Sequence, residues 1–227
     1  MVNVLMVAEK PSLAEAISHH LSNGHATKRA RALPVYEYSG SFQGQPANFK
    51  VTSTTGHVFG CDFMSQHQNW DKTDPDELFE AGTIKKENSG PKVVSHLQSE
   101  SNSCDTLVLW LDCDREGENI CFEVMSIVRK NISSWNRIWR AKFSAITHEE
   151  INFAMRNLIK PNKNISDSVE CRQEVDLKVG CAFTRFQTQF FQGKYGDLDA
   201  NVVSYGPCQT PTLGFCVKRH DEIVNFK

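Results

Sequence analysis

The stretch Leu107-Val108-Leu109-Trp110-Leu111-Asp112-Cys113-Asp114-Arg115-Glu116-Gly117 decides the fold class of this chain. Its first five residues form a continuous apolar run, which is typical of a strand that is covered on both faces of a parallel sheet. Three carboxylates follow at once, on Asp112, Asp114 and Glu116. Ligands of open α/β sheets collect at the carboxyl ends of the strands. The stretch therefore predicts a binding site at one edge of a parallel sheet.

A second apolar run, Val4-Leu5-Met6-Val7, has the same character and is followed by Glu9. If the two strands are neighbours, Glu9 shares one crevice with the three later acids. Clustered carboxylates repel one another and need a metal or a basic partner such as Lys10 or Arg115, and Mg²⁺ prefers hard oxygen ligands. The sequence predicts a Mg²⁺ site at Glu9, Asp112, Asp114 and Glu116, whereas an isolated Asp-x-Asp would be read as a solvated acidic loop or a helix cap.

Two basic side chains accompany these acids. Lys10 could hold a phosphate oxygen or donate a proton to a leaving oxygen, although a surface lysine is the plainer interpretation. Gly56 and His57 close a predicted strand that ends at Ser53, and Gly56 allows close approach of the backbone. His57 could contact a phosphate, but a histidine that is satisfied within the fold is the favoured interpretation.

Strand and helix patterns alternate to about residue 158, which predicts an α/β sheet of mostly parallel strands. Further strands are predicted at residues 36–42, 47–53 and 137–143, and residues 66–91 are predicted to be loops. Thr147 followed by Glu150 is a capping box, which predicts the start of a helix.

The chain changes character near Pro161, where we place the domain boundary. A long helix is predicted from about residue 168 to 192, with an apolar face that includes Val175, Val179, Ala182, Phe186 and Phe190. A last helix is predicted over about 210–220. Phe186 and Phe190 could stack on bases, but core packing is the favoured interpretation.

The composition excludes several classes of function. The net charge of -2 gives no support to nucleic-acid binding through bulk charge, so such binding must depend on a local site. No Cys-x-x-Cys pair indicates zinc, and no phosphate-binding loop indicates ATP hydrolysis. No apolar run approaches the roughly 20 residues of a membrane span, so no membrane association is predicted.

Several motifs together resemble the type IA DNA topoisomerases. They are Glu9-Lys10-Pro11-Ser12, Gly56-His57, Asp112-Cys113-Asp114-Arg115-Glu116-Gly117-Glu118-Asn119, Arg172-Gln173-Glu174-Val175-Asp176-Leu177, Phe183-Thr184-Arg185-Phe186 and Ser204-Tyr205-Gly206-Pro207-Cys208-Gln209-Thr210. The resemblance extends along the whole chain and is strongest to the eukaryotic branch, partly through residues 191–199. It implies a Toprim domain at residues 1–149, with a Rossmann-like, mostly parallel sheet flanked by helices. Residues 150–227 would begin a mainly helical central domain that is incomplete here.

The resemblance also implies an activity. Such enzymes cleave one strand with a tyrosine, pass another strand through the gap and religate without ATP, which relaxes negative supercoils. By resemblance, Glu9, Asp112, Asp114 and Glu116 would bind Mg²⁺ and, with Lys10, form the catalytic set. The single-strand groove would include Arg172, Asp176, Arg185, Gln209 and Thr210. On residue spacing alone, Arg172 and Asp176 could equally form an intrahelical ion pair.

The chain departs from the family pattern in one respect. Its tyrosines, which are Tyr36, Tyr38, Tyr195 and Tyr205, do not match the cleaving motif. We therefore expect an amino-terminal fragment that relaxes no supercoils alone and binds Mg²⁺ and single strands weakly. The resemblance implies single-stranded DNA, with RNA as a second substrate, a Tudor-domain accessory protein, and a nuclear location that could extend to the cytoplasm. Another Toprim enzyme (a primase or nuclease) and a metal- or nucleic-acid-binding module without catalysis remain alternatives.

Overall fold

The computed structural model describes residues 1–88, 90, 92–194 and 201–226 of the chain. The chain divides into two compact units, and each contains two separate segments. The first unit combines Met1–Gly60 with Glu87–Glu170, and the second combines Cys61–Lys86 with Cys171–Lys227. The part of residues 191–199 from Tyr195 onward lies outside the described residues.

A six-stranded sheet forms the centre of the first unit. Its strands are β1 (Val2–Ala8), β2 (Thr27–Arg29), β3 (Val35–Phe42), β4 (Gln45–Ser53), β7 (Thr106–Trp110) and β8 (Ile138–Arg140), and their order is β2-β3-β4-β1-β7-β8. The pairs β4-β1, β1-β7 and β7-β8 are parallel, whereas β2 and β3 are antiparallel to their neighbours. The predicted α/β class and mostly parallel sheet are confirmed.

Helices cover both faces of this sheet. They are α1 (Pro11–Leu21), α2 (Val93–Ser101), α3 (Arg115–Val128) and α4 (His148–Arg156). Side chains alternate between the faces of β1, so that Met6 packs in one cluster with residues of α1 and α4, whereas Leu5 packs in another with residues of α2 and α3. Since both faces are buried, β1 is apolar from Val4 to Ala8 and β7 is apolar from Leu107 to Trp110.

The structure changes two local expectations in this unit. The predicted strand over 137–143 pairs only as far as Arg140, which exchanges backbone hydrogen bonds of 2.8 and 2.9 Å with Ile159. The Thr147 hydroxyl caps α4 by accepting from the Glu150 N–H at 3.3 Å, as predicted. The Glu150 carboxylate, however, accepts a hydrogen bond from the Ser144 hydroxyl at 3.3 Å, so it does not complete the capping box.

The prediction of loops over 66–91 is wrong in part. Strands β5 (Phe59–Phe63) and β6 (Thr83–Glu87) form a two-stranded sheet, and short 3-10 turns lie at Ser65–His67 and Pro75–Phe79. The polar composition concealed Leu78 and Ala81, which are buried against Phe63 and Ala182 in a small core of the second unit.

Two helices complete the chain, α5 (Lys163–Phe191) and α6 (Gln209–Val224). The predicted start at residue 168 is late, because the Asn162 side chain accepts from the Asn164 N–H at 3.0 Å and so caps α5 one turn earlier. Phe186 and Phe190 stay 54% and 47% exposed, so the predicted packing of these two rings in a core is not confirmed within the described residues. Among these residues, the structure contains no helix with the length and apolarity that a membrane span requires.

Candidate metal and nucleic-acid site

Glu9 and Asp112 emerge side by side at the carboxyl edge of the sheet, because β1 and β7 are parallel neighbours and Ala8 pairs with Trp110. The Asp112 N–H donates to a Glu9 carboxylate oxygen at 3.1 Å. The Lys10 ammonium lies 3.5 Å from an Asp112 carboxylate oxygen, and both side chains are open to solvent. The neighbouring strands required by the sequence argument are therefore present, and they bring Glu9, Lys10 and Asp112 together.

The segment after β4 holds the Glu9 backbone in place. The Thr54 hydroxyl and the Gly56 N–H both donate to the Glu9 carbonyl, at 3.1 and 3.2 Å. Gly56 adopts φ +85°, and a Cβ at this position would have no atom within 4 Å. The expected reason for this glycine is therefore corrected: position 56 requires a left-handed backbone rather than a close approach.

Asp114 and Glu116 lie at the start of α3 and have other partners. Asp114 is the N-cap, and its carboxylate accepts from the Gly117 N–H at 2.7 Å. Glu116 lies in the first turn, where one carboxylate oxygen is 2.9 Å from His57 Nε2. Asp114 therefore has the helix-cap role that an isolated Asp-x-Asp would suggest.

His57 bridges two carboxylates of α3. Its Nδ1 lies 2.9 Å from Glu123 and its Nε2 lies 2.9 Å from Glu116. The hydrogen bond with Glu123, followed by the bond with Glu116, raises the pKa of His57 above its ordinary value, although partial burial acts against this rise. The favoured interpretation of His57 as a histidine satisfied within the fold agrees with these contacts. Glu123 was not identified from the sequence.

Gly117 packs α3 directly on residues 111–114, which join β7 to α3 and are called the acidic loop below. A Cβ at this position would lie 2.0 Å from the Asp112 carbonyl oxygen and 2.9 Å from its carbonyl carbon. Only glycine therefore allows the first turn of α3 to lie this close to Asp112. The sequence shows a glycine after the acids, but the contact depends on the tertiary structure.

Arg140 supports the same loop from beneath, and sequence reasoning missed it. Its fully buried guanidinium donates to the carbonyls of Leu111 at 2.8 Å and Asp112 at 2.7 Å. It also donates to the Glu118 carboxylate at 3.2 Å. One sequence signal could have indicated that Arg140 is buried. Arg140 lies two residues after the apolar Ile138 in a predicted strand, and this spacing puts both side chains on the same face of the strand.

Glu118 is the buried counter-ion of this arginine. Its carboxylate also accepts from the Lys142 ammonium at 3.0 Å and from the Asn162 N–H at 2.6 Å. Burial acts to raise the pKa of Glu118, but the Asn162 amide, Lys142 and Arg140 outweigh it and hold the pKa below its ordinary value. Glu118 therefore belongs to the support of the loop, and it is not an open ligand.

The acidic residues supply the right chemistry for a hard cation, since all four predicted ligands carry carboxylate oxygens. Among the described residues, however, no three Asp, Glu, His or Cys side chains converge closely enough to hold a metal ion. Glu9 and Asp112 are adjacent, whereas Asp114 and Glu116 hydrogen-bond to Gly117 and His57. The donor types of the four side chains thus fit Mg²⁺.

The predicted groove residues all lie in the second unit. Arg172 and Asp176 form an intrahelical ion pair of 3.5 Å with both side chains partly exposed. Arg185 is 4% exposed, donates to the His67 carbonyl at 2.8 Å and lies 5.5 Å from the Trp70 ring. Gln209 and Thr210 are exposed in the first turn of α6. Arg185 is therefore a buried structural contact in this unit, while the other four side chains are accessible.

Comparison with known proteins gives the family. Residues 4–146 match the Toprim domain model, and residues 160–227 match the model described as DNA topoisomerase. DNA topoisomerase 3-beta-1 of Homo sapiens is 52% identical over 100% of this chain, and DNA topoisomerase 3-beta of Arabidopsis thaliana is also 52% identical over 100%. The chain spans 27% and 26% of those proteins, about a quarter of their length.

A solved structure shares the fold. Full-length topoisomerase I from Thermotoga maritima aligns with 98% of this chain and 31% of its own, with a TM-score of 0.60 and 21% identity. This likeness concerns the fold alone, whereas the family follows from the sequence models. The chain therefore belongs to the Toprim family, and along its whole length it is similar to the amino-terminal quarter of DNA topoisomerases of the 3-beta type.

Proposed function

We propose that this chain supplies the Mg²⁺-dependent phosphodiester centre and part of the single-strand groove of a type IA topoisomerase. Such an enzyme would cleave, pass and religate single strands without ATP. The observation that carries the proposal is the meeting of Glu9, Lys10 and Asp112 at the ends of two neighbouring parallel strands. The Toprim domain of topoisomerases is a metal-binding domain, which supports the same assignment.

The proposed roles follow from these positions. Glu9, Asp112, Asp114 and Glu116 would hold Mg²⁺, which when bound would offset the negative charge of the scissile phosphate. Lys10 would place its exposed ammonium against a phosphate oxygen, because its only charged partner within 4 Å among the described residues is Asp112. Arg140 and Gly117 would keep the acidic loop in place when Mg²⁺ and the phosphate bind and change the charge beside it.

The nucleic acid would be single-stranded DNA, with RNA as a second substrate. Arg172, Asp176, Gln209 and Thr210 are accessible and remain the proposed contacts, and Arg185 would act by supporting them from within the second unit. The Tudor-domain accessory protein and the nuclear location, which could extend to the cytoplasm, belong to the same proposal. The match of residues 160–227 to the DNA topoisomerase model favours this reading over a Toprim primase or nuclease.

The test removes two carboxylates from the edge of the sheet. Asp112→Asn with Asp114→Asn should weaken Mg²⁺ binding to this chain, measured by isothermal titration calorimetry, by about tenfold or more. The control is Asp71→Asn with Asp76→Asn, which removes two equal charges from exposed positions of the second unit and should leave the affinity unchanged. Equal Mg²⁺ affinity in the first variant and the wild type would refute the metal assignment.

Activity can be tested in a chimaera, in which this chain replaces the equivalent quarter of the human relative. The same two-residue variant should sharply impair Mg²⁺-dependent relaxation of supercoiled DNA, and the control should relax it normally. Full relaxation by the site variant would contradict the proposed centre.

A further inference from the structure

The side chains of Glu116, His57 and Glu123 form a connected row. The row lies beside the acidic edge, by which we mean the carboxyl edge of the sheet where Glu9 and Asp112 emerge. Glu116 and Glu123 are seven residues apart on α3, which places them on one face of the helix two turns apart. His57, which follows β4, inserts its ring between them with both ring nitrogens at 2.9 Å from a carboxylate oxygen. The row therefore joins a proposed metal ligand to the interior of the first unit.

The inner end of this row is fixed. The Glu123 side chain is 5% exposed, and one of its oxygens accepts from the Val58 N–H at 2.7 Å and from the Phe59 N–H at 3.4 Å. Its other oxygen is the partner of His57 Nδ1. The backbone of His57 is also held, because the Asn88 amide donates to its carbonyl at 2.8 Å. The position of the imidazole is thus determined from both its main chain and its ring.

The outer end of the row is more open, since the Glu116 side chain is 41% exposed. An exposed glutamate in a first helical turn samples several rotamers, and fixing one of them costs side-chain entropy. The hydrogen bond from His57 engages one carboxylate oxygen of Glu116 and limits this freedom before any cation arrives.

We propose that His57 is a positioning residue, which Glu123 orients and which in turn orients the Glu116 carboxylate for cation binding. This inference rests on the proposed function, because the orientation of Glu116 matters only if the acidic edge binds Mg²⁺. Side chains that hold metal ligands from behind typically change metal affinity by about 10- to 100-fold when they are removed.

Orientation of Glu116 by His57 should strengthen cation binding, whereas a positive charge on the imidazole would repel the cation and weaken binding. The experiment must therefore separate the effect of charge from the effect of orientation. His57→Gln and His57→Ala are both neutral, and they differ in whether a donor remains near the position of Nε2. The Ala variant should therefore bind Mg²⁺ about tenfold more weakly than the Gln variant, measured by calorimetry on the whole chain. His57→Leu repeats the comparison with a side chain of similar size in case the Ala variant does not fold.

The same pair of substitutions in a Glu116→Gln background identifies the route. If His57 acts through Glu116, the difference between the Ala and Gln variants should disappear there, whereas a general structural role would leave it unchanged. Equal affinities of the Ala and Gln variants in the original background, or a difference that persists without the Glu116 carboxylate, would overturn the inference. A failure of the metal site itself would give a different result. In that case Asp112→Asn with Asp114→Asn would leave Mg²⁺ binding intact, and this outcome would refute both proposals.

Discussion

A methyl group at position 117 would test whether the close contact between α3 and the acidic loop is essential. In Gly117→Ala the new Cβ would lie 2.0 Å from the Asp112 carbonyl oxygen, and real Cβ atoms almost never approach closer than 3.0 Å. The helix or the loop must therefore move by about 1 Å. The loop resists this movement, because Arg140 holds the same carbonyl at 2.7 Å and Glu9 holds the Asp112 N–H at 3.1 Å.

Two opposing effects set the size of the change. Alanine gains about 1 kcal/mol over glycine in a helix interior, and less is expected in a first turn. Overpacking a rigid site typically costs about 1–3 kcal/mol, with higher values where backbone must move. Because the clash is with backbone that two side chains fix, we expect the free energy of unfolding to fall by about 2 kcal/mol or more, and Mg²⁺ binding to weaken as Asp112 is displaced.

Urea unfolding followed by circular dichroism measures the first effect and calorimetry the second. Gly214→Ala is the matched control, because position 214 is also helical and a Cβ there would have no atom within 4 Å. It should leave stability equal or slightly increased. A Gly117→Ala variant that is as stable as the wild type and binds Mg²⁺ equally well would refute the reasoning.

Three further outcomes are expected. Arg140→Ala should lower the free energy of unfolding by about 3–5 kcal/mol, since it removes a buried charge partner of Glu118 together with the donor to the Leu111 and Asp112 carbonyls. The exposed Arg137→Ala should change it by less than about 0.5 kcal/mol, and equal effects would contradict the buried network. The Arg29 guanidinium holds the pKa of Glu100 below its ordinary 4.5. The stability that this ion pair contributes is therefore fully present above pH 4.5 and is lost as the pH falls through the pKa of the folded state. The stability difference between wild type and Glu100→Gln should therefore shrink in acid urea titrations, and a constant difference would exclude the linkage. In the chimaera, Lys10→Ala should slow strand cleavage by about 100-fold and weaken oligonucleotide binding much less, and the reverse pattern would mean that Lys10 only holds the nucleic acid.

The sheet could be predicted because its strands are covered on both faces. Burial of both faces removes polar residues from Val4–Val7 and Leu107–Leu111, so the apolar runs identify the strands without any knowledge of their neighbours. The sequence did not reveal β2, α2 or β6. Strands β2 and β6 are short and mostly exposed, so they carry no apolar pattern, and α2 is a short helix that buries polar His96 and Glu100 beside its apolar residues.

The candidate site was predictable for a related reason. The carboxyl ends of neighbouring parallel strands meet at one edge, so Glu9 and Asp112 could be placed together on the condition that β1 and β7 are neighbours, which the structure confirms. The fine geometry was not predictable in this way. Glu116 pairs with His57, and Asp114 caps α3, because these contacts depend on where the segment after β4 and the first turn of α3 come to lie.

The sequence by itself therefore determined the fold class, the acidic edge and the family, because apolar runs and ligand spacing are local properties of the chain. Only the tertiary structure decided which residues support that edge. Arg140, Glu118 and Glu123 lie far along the chain from some of their partners, and their roles as buried counter-ions arise only when the folded interior removes water and makes an unpaired charge costly. Burial also separates Arg185, which is enclosed, from the other predicted groove residues, which remain accessible, since side-chain type alone cannot specify solvent exposure.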